Sequence, residues 1–379
     1  MELGWTLLYA FDILLFIIVG LTVLYFTIFS VSSLFSQHKT IPTAKRHNRF
    51  IILIPSYKQD KTIVDTVKSI LGQTYPERLF DVTVISDHQK EITNFKLAQY
   101  PITLLTPNFD HSSKARSLQL AINNLPQFKI YDVVIILDAG SIVEPEFLQQ
   151  MNDAYEVAGT KAIQAHRLSK NRDTAIAHLD AIFEEINNSV FRRGHVTLGI
   201  SAATSGSGIA YEYKWFANNI HKIKGIGEDK AIESLLMRQQ IFVDFFDNIF
   251  VYDEKTRSSH DFKEQRSRWV TTQIRSIISN IKYLPSAIIN KRYDFVDKII
   301  QWMLVPRTIL ICIIIFMSLT LPFIYLSLAI KWWILFAFIM FVFAMATPDY
   351  LVDKNWNKTF YSLPKIILTS LIGRIRKKK

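Results

Sequence analysis

Four short stretches carry side chains that could do chemistry. In "VVIILDAG", Asp138 stands at the end of an apolar run, where a divalent cation can bridge its carboxylate to a diphosphate. In "GIGEDKAIESLLMR" (225–238), Glu228 and Asp229 precede a helical apolar pattern. Acids there cap a helix and complement its dipole, and a carboxylate so placed can also take a proton from a hydroxyl. "HSSKARSLQ" puts Lys114 and Arg116 at a helix start, which already favours anions. "KEQRSRWV" (263–270) packs Lys263, Arg266 and Arg268 around Gln265, with Trp269 beside them. Such a stretch is either a positively charged membrane edge or a phosphate site with an aromatic platform.

The elements that position these groups alternate between strand and helix. "RFIILIPSY" (49–57), "FDVTVISD" (80–87), "PITLLTP" (101–107) and "YDVVIILDAG" (131–140) read as strands. "KTIVDTVKSILGQ" (61–73), "SKARSLQLAINNL" (113–125) and "EPEFLQQMNDAYE" (144–156) read as helices, the last with Pro145 in its first turn. Continuous apolar strands with helical crossovers predict an α/β fold with a mostly parallel sheet, whose ligands bind at the carboxyl ends of the strands. Pro55, Asp87 and Asp138 all fall at such ends. Asp87 can orient polar N–H groups of a ligand or cap a turn. "TSGSGIAYEY" (204–213) reads as a loop whose Gly206 and Gly208, around Ser207, allow close backbone approach.

Apolar segments flank this region. Residues 7–31 are apolar apart from Asp12 and exceed the roughly 20 residues a spanning helix needs. Residues 308–330 and 332–347 read as a second span and a short third, turning at Lys331. Lys39, Lys45, Arg46, Arg49, Arg307 and the terminal "GRIRKKK" on one side predict a cytoplasmic middle region. The formal net charge of +11 is thereby referred to anionic lipid head groups, not to nucleic acid. Cys312, the sole cysteine of the 379 residues, excludes an internal disulfide and a cysteine-based metal site.

Taken in order, "PSYKQD", "ISDHQ", "HSSKARSLQ", "LDAGSIVEPEFL", "RRGHVTLGISAATSGSGIAYEYKWF", "GEDKAIESLLMRQQ" and "QRSRW" resemble the membrane-anchored inverting glycosyltransferases of family 2. That group includes cellulose, hyaluronan and chitin-oligosaccharide synthases and their non-processive relatives. The resemblance implies a GT-A type nucleotide-sugar-binding domain with a mostly parallel mixed sheet, plus transmembrane and interfacial helices. The expected organisation is an N-terminal span in 1–36, the transferase domain in 37–270, interfacial helices in 271–307, a transmembrane hairpin in 308–348 and a basic tail in 349–379.

By the same resemblance Pro55, Tyr57 and Asp87 border the nucleotide base, and Lys114 and Arg116 meet the diphosphate. Asp138 holds Mg²⁺ or Mn²⁺, and Gly206, Ser207 and Gly208 line the sugar. Asp229 is the general base with Glu228 orienting it, and Gln265, Arg268 and Trp269 form the terminal catalytic motif. The chain departs from the family at Gly140, where a second acid normally follows Asp138; this leaves phosphate oxygens and waters, or Ser141 and a remote acid, to complete a metal shell with Asp138, or a metal-independent site in which Arg and Lys carry the phosphate charge. The implied activity is inverting transfer from a UDP-linked sugar to a lipid-linked or glycan acceptor at the cytoplasmic face of a bacterial inner membrane. A processive synthase that extrudes its product, or an inactive membrane scaffold, are the alternatives. Implied partners are membrane lipids and a homo-oligomer or secretion subunit.

Overall fold

The computed structural model describes residues 2–37, 40–225, 227–353, 356–359 and 361; Lys39 and the basic stretch 363–379 lie outside the described residues. The chain opens with α1 (Glu2–Leu34) and enters the sheet at β1 (Phe50–Tyr57). There follow α2 (Ile63–Leu71), β2 (Phe80–Asp87), α3 (Glu91–Leu97), β3 (Thr103–Leu105), α4 (Lys114–Asn124) and β4 (Val133–Ile136). β1 pairs in parallel with β2 and β4, and β2 with β3. Alternate residues of β1 enter opposite cores: Ile51 and Leu53 one, Phe50, Ile52 and Ile54 the other. This two-sided burial is why the strand reads as an unbroken apolar run.

The second half of the sheet is mixed. It comprises β5 (Ile142–Val143), α5 (Phe147–Ala158), β6 (Ala162–Ser169), α6 (Ala175–Ile186), a π-type turn over Asn187–Gly194, α7 (His195–Thr197), β7 (Ile209–Glu212), α8 (Tyr213–Ile220), α9 (Glu228–Arg238) and β8 (Val243–Asp253). The strand order is β3-β2-β1-β4-β7-β6-β8-β5, with β7 antiparallel to both β4 and β6. Part of the expected 204–213 loop is therefore strand. Gly208, at φ +70, turns the chain back so that its N–H donates to Ile136 O at 2.9 Å. Helix α5 starts two residues beyond Pro145, whose carbonyl instead accepts from Thr74 N at 2.9 Å. Glu228 and Asp229 sit within the first turn of α9, not before it.

After the sheet come α10 (Ser259–Asn280), which packs on α9 and α12, then α11 (Leu284–Ile289), α12 (Tyr293–Met303), α13 (Arg307–Thr320) and α14 (Leu326–Ala346), the last packed against α1 and α13. Two helices are long and apolar enough to cross a bilayer, Gly4–Leu34 and Leu326–Ala346, which supports integration of the chain into a membrane. Tyr293–Met303 and Arg307–Phe323 form a pair bent by 55°, a broken span or a re-entrant loop. The expected hairpin is thus corrected in its register. The turn falls at Leu321–Tyr325, because Pro322 has no N–H to continue a helix. The short arm is the 14-residue α13, and Lys331 lies inside α14. Burial there is compensated by Asp12 of α1, which accepts from Lys331 Nζ and from Trp332 Nε1 at 2.8 Å. At its other end α1 docks closely on the catalytic domain. Ser32 Oγ donates to Gly194 O at 3.0 Å, and a Cβ on Gly194 would stand 2.1 Å from Phe29 O.

Candidate active site

Parallel pairing brings the carboxyl ends of β1 and β2 level, with Tyr57 opposite Asp87. Asp87 is 1% exposed, more enclosed than a strand-end acid needs to be. His88, in the left-handed region at φ +56, folds back so that its Nδ1 lies 2.5 Å from Asp87 Oδ1. The His88 ring meets Tyr57 edge-on at 5.6 Å, giving an aromatic corner beside the buried acid. Pro55 lies half-buried within β1, in register with Ile85.

The centre of the site is Lys114. Ser113 caps α4 by accepting from Arg116 N, which places Lys114 at the first helical position. Its Nζ donates to Asp138 Oδ1 and to Gly206 O, both at 2.7 Å. A methyl at Gly206 would stand 2.5 Å from Lys114 Nζ and 3.0 Å from Asp229 Oδ2. Gly206 is therefore glycine for space, and it marks where Lys114, Asp138 and Asp229 converge. Burial works to raise the Asp138 carboxyl, but Lys114 and then Arg167 hold it below its ordinary value. Glu228 goes the other way. Burial and the neighbouring Asp229 push it up to about 7.

The site is held from behind by residues that the sequence pattern did not single out. Gln164 accepts from Ser205 N at 2.8 Å and donates to Ser207 O and Gly208 O, fixing the glycine loop. Glu233 accepts from Thr204 N at 2.9 Å and pairs with Lys230 and with Lys298 of α12, and these contacts bring it down to about 2 despite burial. Arg167 pairs with Asp253 at 2.5 Å. Each was invisible because its neighbours come from distant segments.

Several expected site residues are placed otherwise. Ser207 is fully buried, accepting from Asp138 N and bonding Ser141 Oγ at 2.6 Å, so its hydroxyl supports the loop and does not face a sugar. Arg116 is exposed, donates to His111 O at 2.9 Å and lies over Phe109. In α10 the paired cation is the half-buried Arg266, bonded to Asp180 at 2.7 Å and stacked 4.6 Å from the Trp269 ring. Trp269 therefore already uses one face, while remaining 44% exposed. Arg268 is exposed. It precedes Thr272 by one helical turn, and Thr272 packs where a Cβ of Gly227 would be 2.2 Å away, so that face of α10 borders the start of α9. Gln265 Oε1 is buried without a hydrogen-bond partner, a condition that costs about 1–3 kcal/mol until a ligand donates to it.

The donor set is short of a metal centre. Gly140 supplies no carboxylate, and Ser141 is fully buried between Ser207 and Asp253. Among the described residues no group of three or more His, Cys, Asp or Glu could hold an ion. The positive charge around Asp138 comes from Lys114, Arg167 and Lys255.

Residues 47–272 match the family described as Glycosyltransferase like family 2. No curated protein matches the chain. Among solved structures, the mannosyltransferase PcManGT of Pyrobaculum calidifontis, in complex with GDP-Man and Mn²⁺, aligns over 98% of this chain and 99% of its own at 12% identity and a TM-score of 0.55, a likeness of fold. S. aureus TarS 1-349 aligns more loosely, at 14% identity over 61% of this chain and 65% of its own with a TM-score of 0.39.

Proposed function

Because the chain belongs to glycosyltransferase family 2, a group that moves sugars from nucleotide sugars to acceptors with inversion, we propose that it transfers one sugar from a UDP-linked donor to a lipid-linked acceptor at the cytoplasmic face of a bacterial inner membrane. The observation that carries this reading is the convergence of Lys114, Asp138 and Asp229 on Gly206, at the carboxyl end of the sheet.

In this reading Tyr57 and His88 flank the base and Asp87 accepts from its ring N–H. The acceptor oxygen attacks the anomeric carbon as its proton passes to Asp229, and the bond from that carbon to the diphosphate oxygen breaks. Lys114 meets the charge left on the diphosphate, with Arg268 joining it from α10. Gln265 Oε1 accepts a hydroxyl of donor or acceptor, which gives its buried carbonyl a partner. Glu228, at about 7, holds a proton for part of the population at neutral pH and so limits the negative charge facing the diphosphate.

The membrane helices support a lipid-borne acceptor delivered singly. α1 packs on α14 through apolar side chains such as Val19, Val23 and Val342, with the buried Asp12 paired to the half-buried Lys331 between them. Arg46 and Arg49 near the end of α1, with Arg307 before α13, support the cytoplasmic sidedness.

The test is full-length protein in nanodiscs, supplied with radiolabelled UDP- and GDP-sugars and membrane lipid extract. One short lipid-extractable product growing in proportion to acceptor is expected. Asp229→Asn should retain donor binding and lose about 10²- to 10⁴-fold in transfer. Normal transfer by folded Asp229→Asn removes Asp229 from the mechanism, and long polymer with most acceptor untouched replaces the non-processive reading.

A further inference from the structure

Helix α9 has two functional ends. Its first turn carries Glu228 and Asp229, while its last turn carries Arg238, about 14 Å away along the axis. Arg238 there lines a separate cavity of about 230 Å³ between α9, α11 and α12.

The polar wall of this cavity is Arg238, Gln239, Tyr283, Ser286 and Arg292, without a carboxylate. The Arg238 guanidinium stacks 4.3 Å from the Tyr283 ring, which Lys282 also approaches at 5.1 Å. Gln239 is fixed by accepting from Trp215 Nε1 at 2.7 Å and donating to Asn219 Oδ1 at 3.1 Å. The nearest acids of α12 are engaged elsewhere. Asp294 accepts from Ser201 N and Oγ at 3.1 and 2.9 Å, and Asp297 from Tyr25. Among the described residues neither Arg238 nor Arg292 forms an ion pair with a carboxylate. Two guanidiniums in a roomy cavity with hydroxyl and amide donors beside them suit a phosphate group.

The surroundings choose the source of that phosphate. Ile281, Ile288, Ile289 and Tyr293, on or beside the same short helices, are exposed to 39%, 58%, 79% and 68%. Helix α12 is itself the first arm of the bent apolar pair that continues in Arg307–Phe323. An apolar rim around a cationic cavity matches the boundary between acyl chains and head groups. We propose that this cavity binds the phosphate of an anionic membrane lipid. Lys298 of α12 also bonds the buried Glu233, which holds Thr204, so a lipid that fastens α12 fixes the height of the catalytic cleft above the bilayer. The binding proposal requires no particular sugar donor or acceptor.

The experiment titrates full-length protein in maltoside micelles with dihexanoyl phosphatidylglycerol, dihexanoyl phosphatidylcholine or inorganic phosphate, read by calorimetry. Saturable one-to-one binding of phosphatidylglycerol is expected, with at least tenfold weaker binding of the other two. The double variant Arg238→Gln/Arg292→Gln should weaken phosphatidylglycerol about 30-fold, and Arg238→Lys/Arg292→Lys, which keeps the charge but not the fork or the stacking on Tyr283, should fall between it and the wild type. Ser286→Asp puts a carboxylate into the cavity at an exposed position and should abolish binding, which keeps the test available if the double variant fails to fold. Unchanged phosphatidylglycerol binding in the Gln or Asp variants overturns the proposal. Inorganic phosphate binding as tightly as the lipid also overturns it, assigning the cavity to a soluble anion.

Discussion

Lys114→Met is the most informative single change, because Lys114 joins three functional segments through one atom. The substitution keeps an unbranched side chain one atom shorter and removes the charge. It breaks the 2.7 Å bonds to Asp138 Oδ1 and Gly206 O and leaves Asp138, Glu228 and Asp229 without their common cation. Lys114 and Asp138 are 18% and 42% exposed, so the pair is partly solvated. Its loss should destabilise the fold by about 1–2 kcal/mol, below the 3–5 kcal/mol typical of a fully buried pair. Donor affinity should suffer more. A charge-assisted bond to diphosphate contributes about 1.5–3 kcal/mol, so donor binding should weaken roughly 10- to 150-fold. Removing the cation also lets Glu228 rise further above about 7, since Lys114 is the main neighbour holding it down. The assay is calorimetric titration with UDP-sugars at pH 7, beside thermal unfolding of both proteins. Donor affinity within about twofold of wild type, in a folded Lys114→Met protein, would falsify the placement of diphosphate at Lys114.

Two further outcomes follow from individual residues. Glu228 is raised from its ordinary value to about 7, so its contribution to stability is full below the ordinary carboxylate range and is lost as pH rises through about 7. Glu228→Gln should therefore flatten the decline in unfolding temperature between pH 5 and 8, by the equivalent of about 1–2 kcal/mol after allowing for solvent screening; an unchanged slope would contradict the shift. Gly140→Asp restores an acid where the family has one, but at φ +150 a side chain is strained. It should lower stability by about 1–3 kcal/mol without increasing the response to Mg²⁺, and a stable variant with tighter Mg²⁺ dependence would show that the loop can still build the paired-acid site.

The sequence alone determined what is local or periodic. Apolar runs such as 50–54 specify strands buried on both faces, and the long apolar stretch after Glu2 specifies a span, because each signal depends on composition over one segment. The placement of Asp87, Asp138 and Lys114 at element ends was legible for the same reason. What sequence could not determine depends on pairing between distant segments. Lys331 looked like a turn because a lysine interrupts an apolar run; only the neighbouring α1, which presents Asp12, makes it tolerable inside a helix. Arg268 and Arg266 look equivalent in "QRSRW", yet helix phase pairs the half-buried Arg266 with Asp180 and leaves Arg268 exposed. Ser207 looked like a sugar contact until Asp138 and Ser141 enclosed it. Gln164, Glu233 and Arg167 had no sequence signal at all, since their roles consist of hydrogen bonds to loops far away in the chain, and those partners exist only once the sheet has closed.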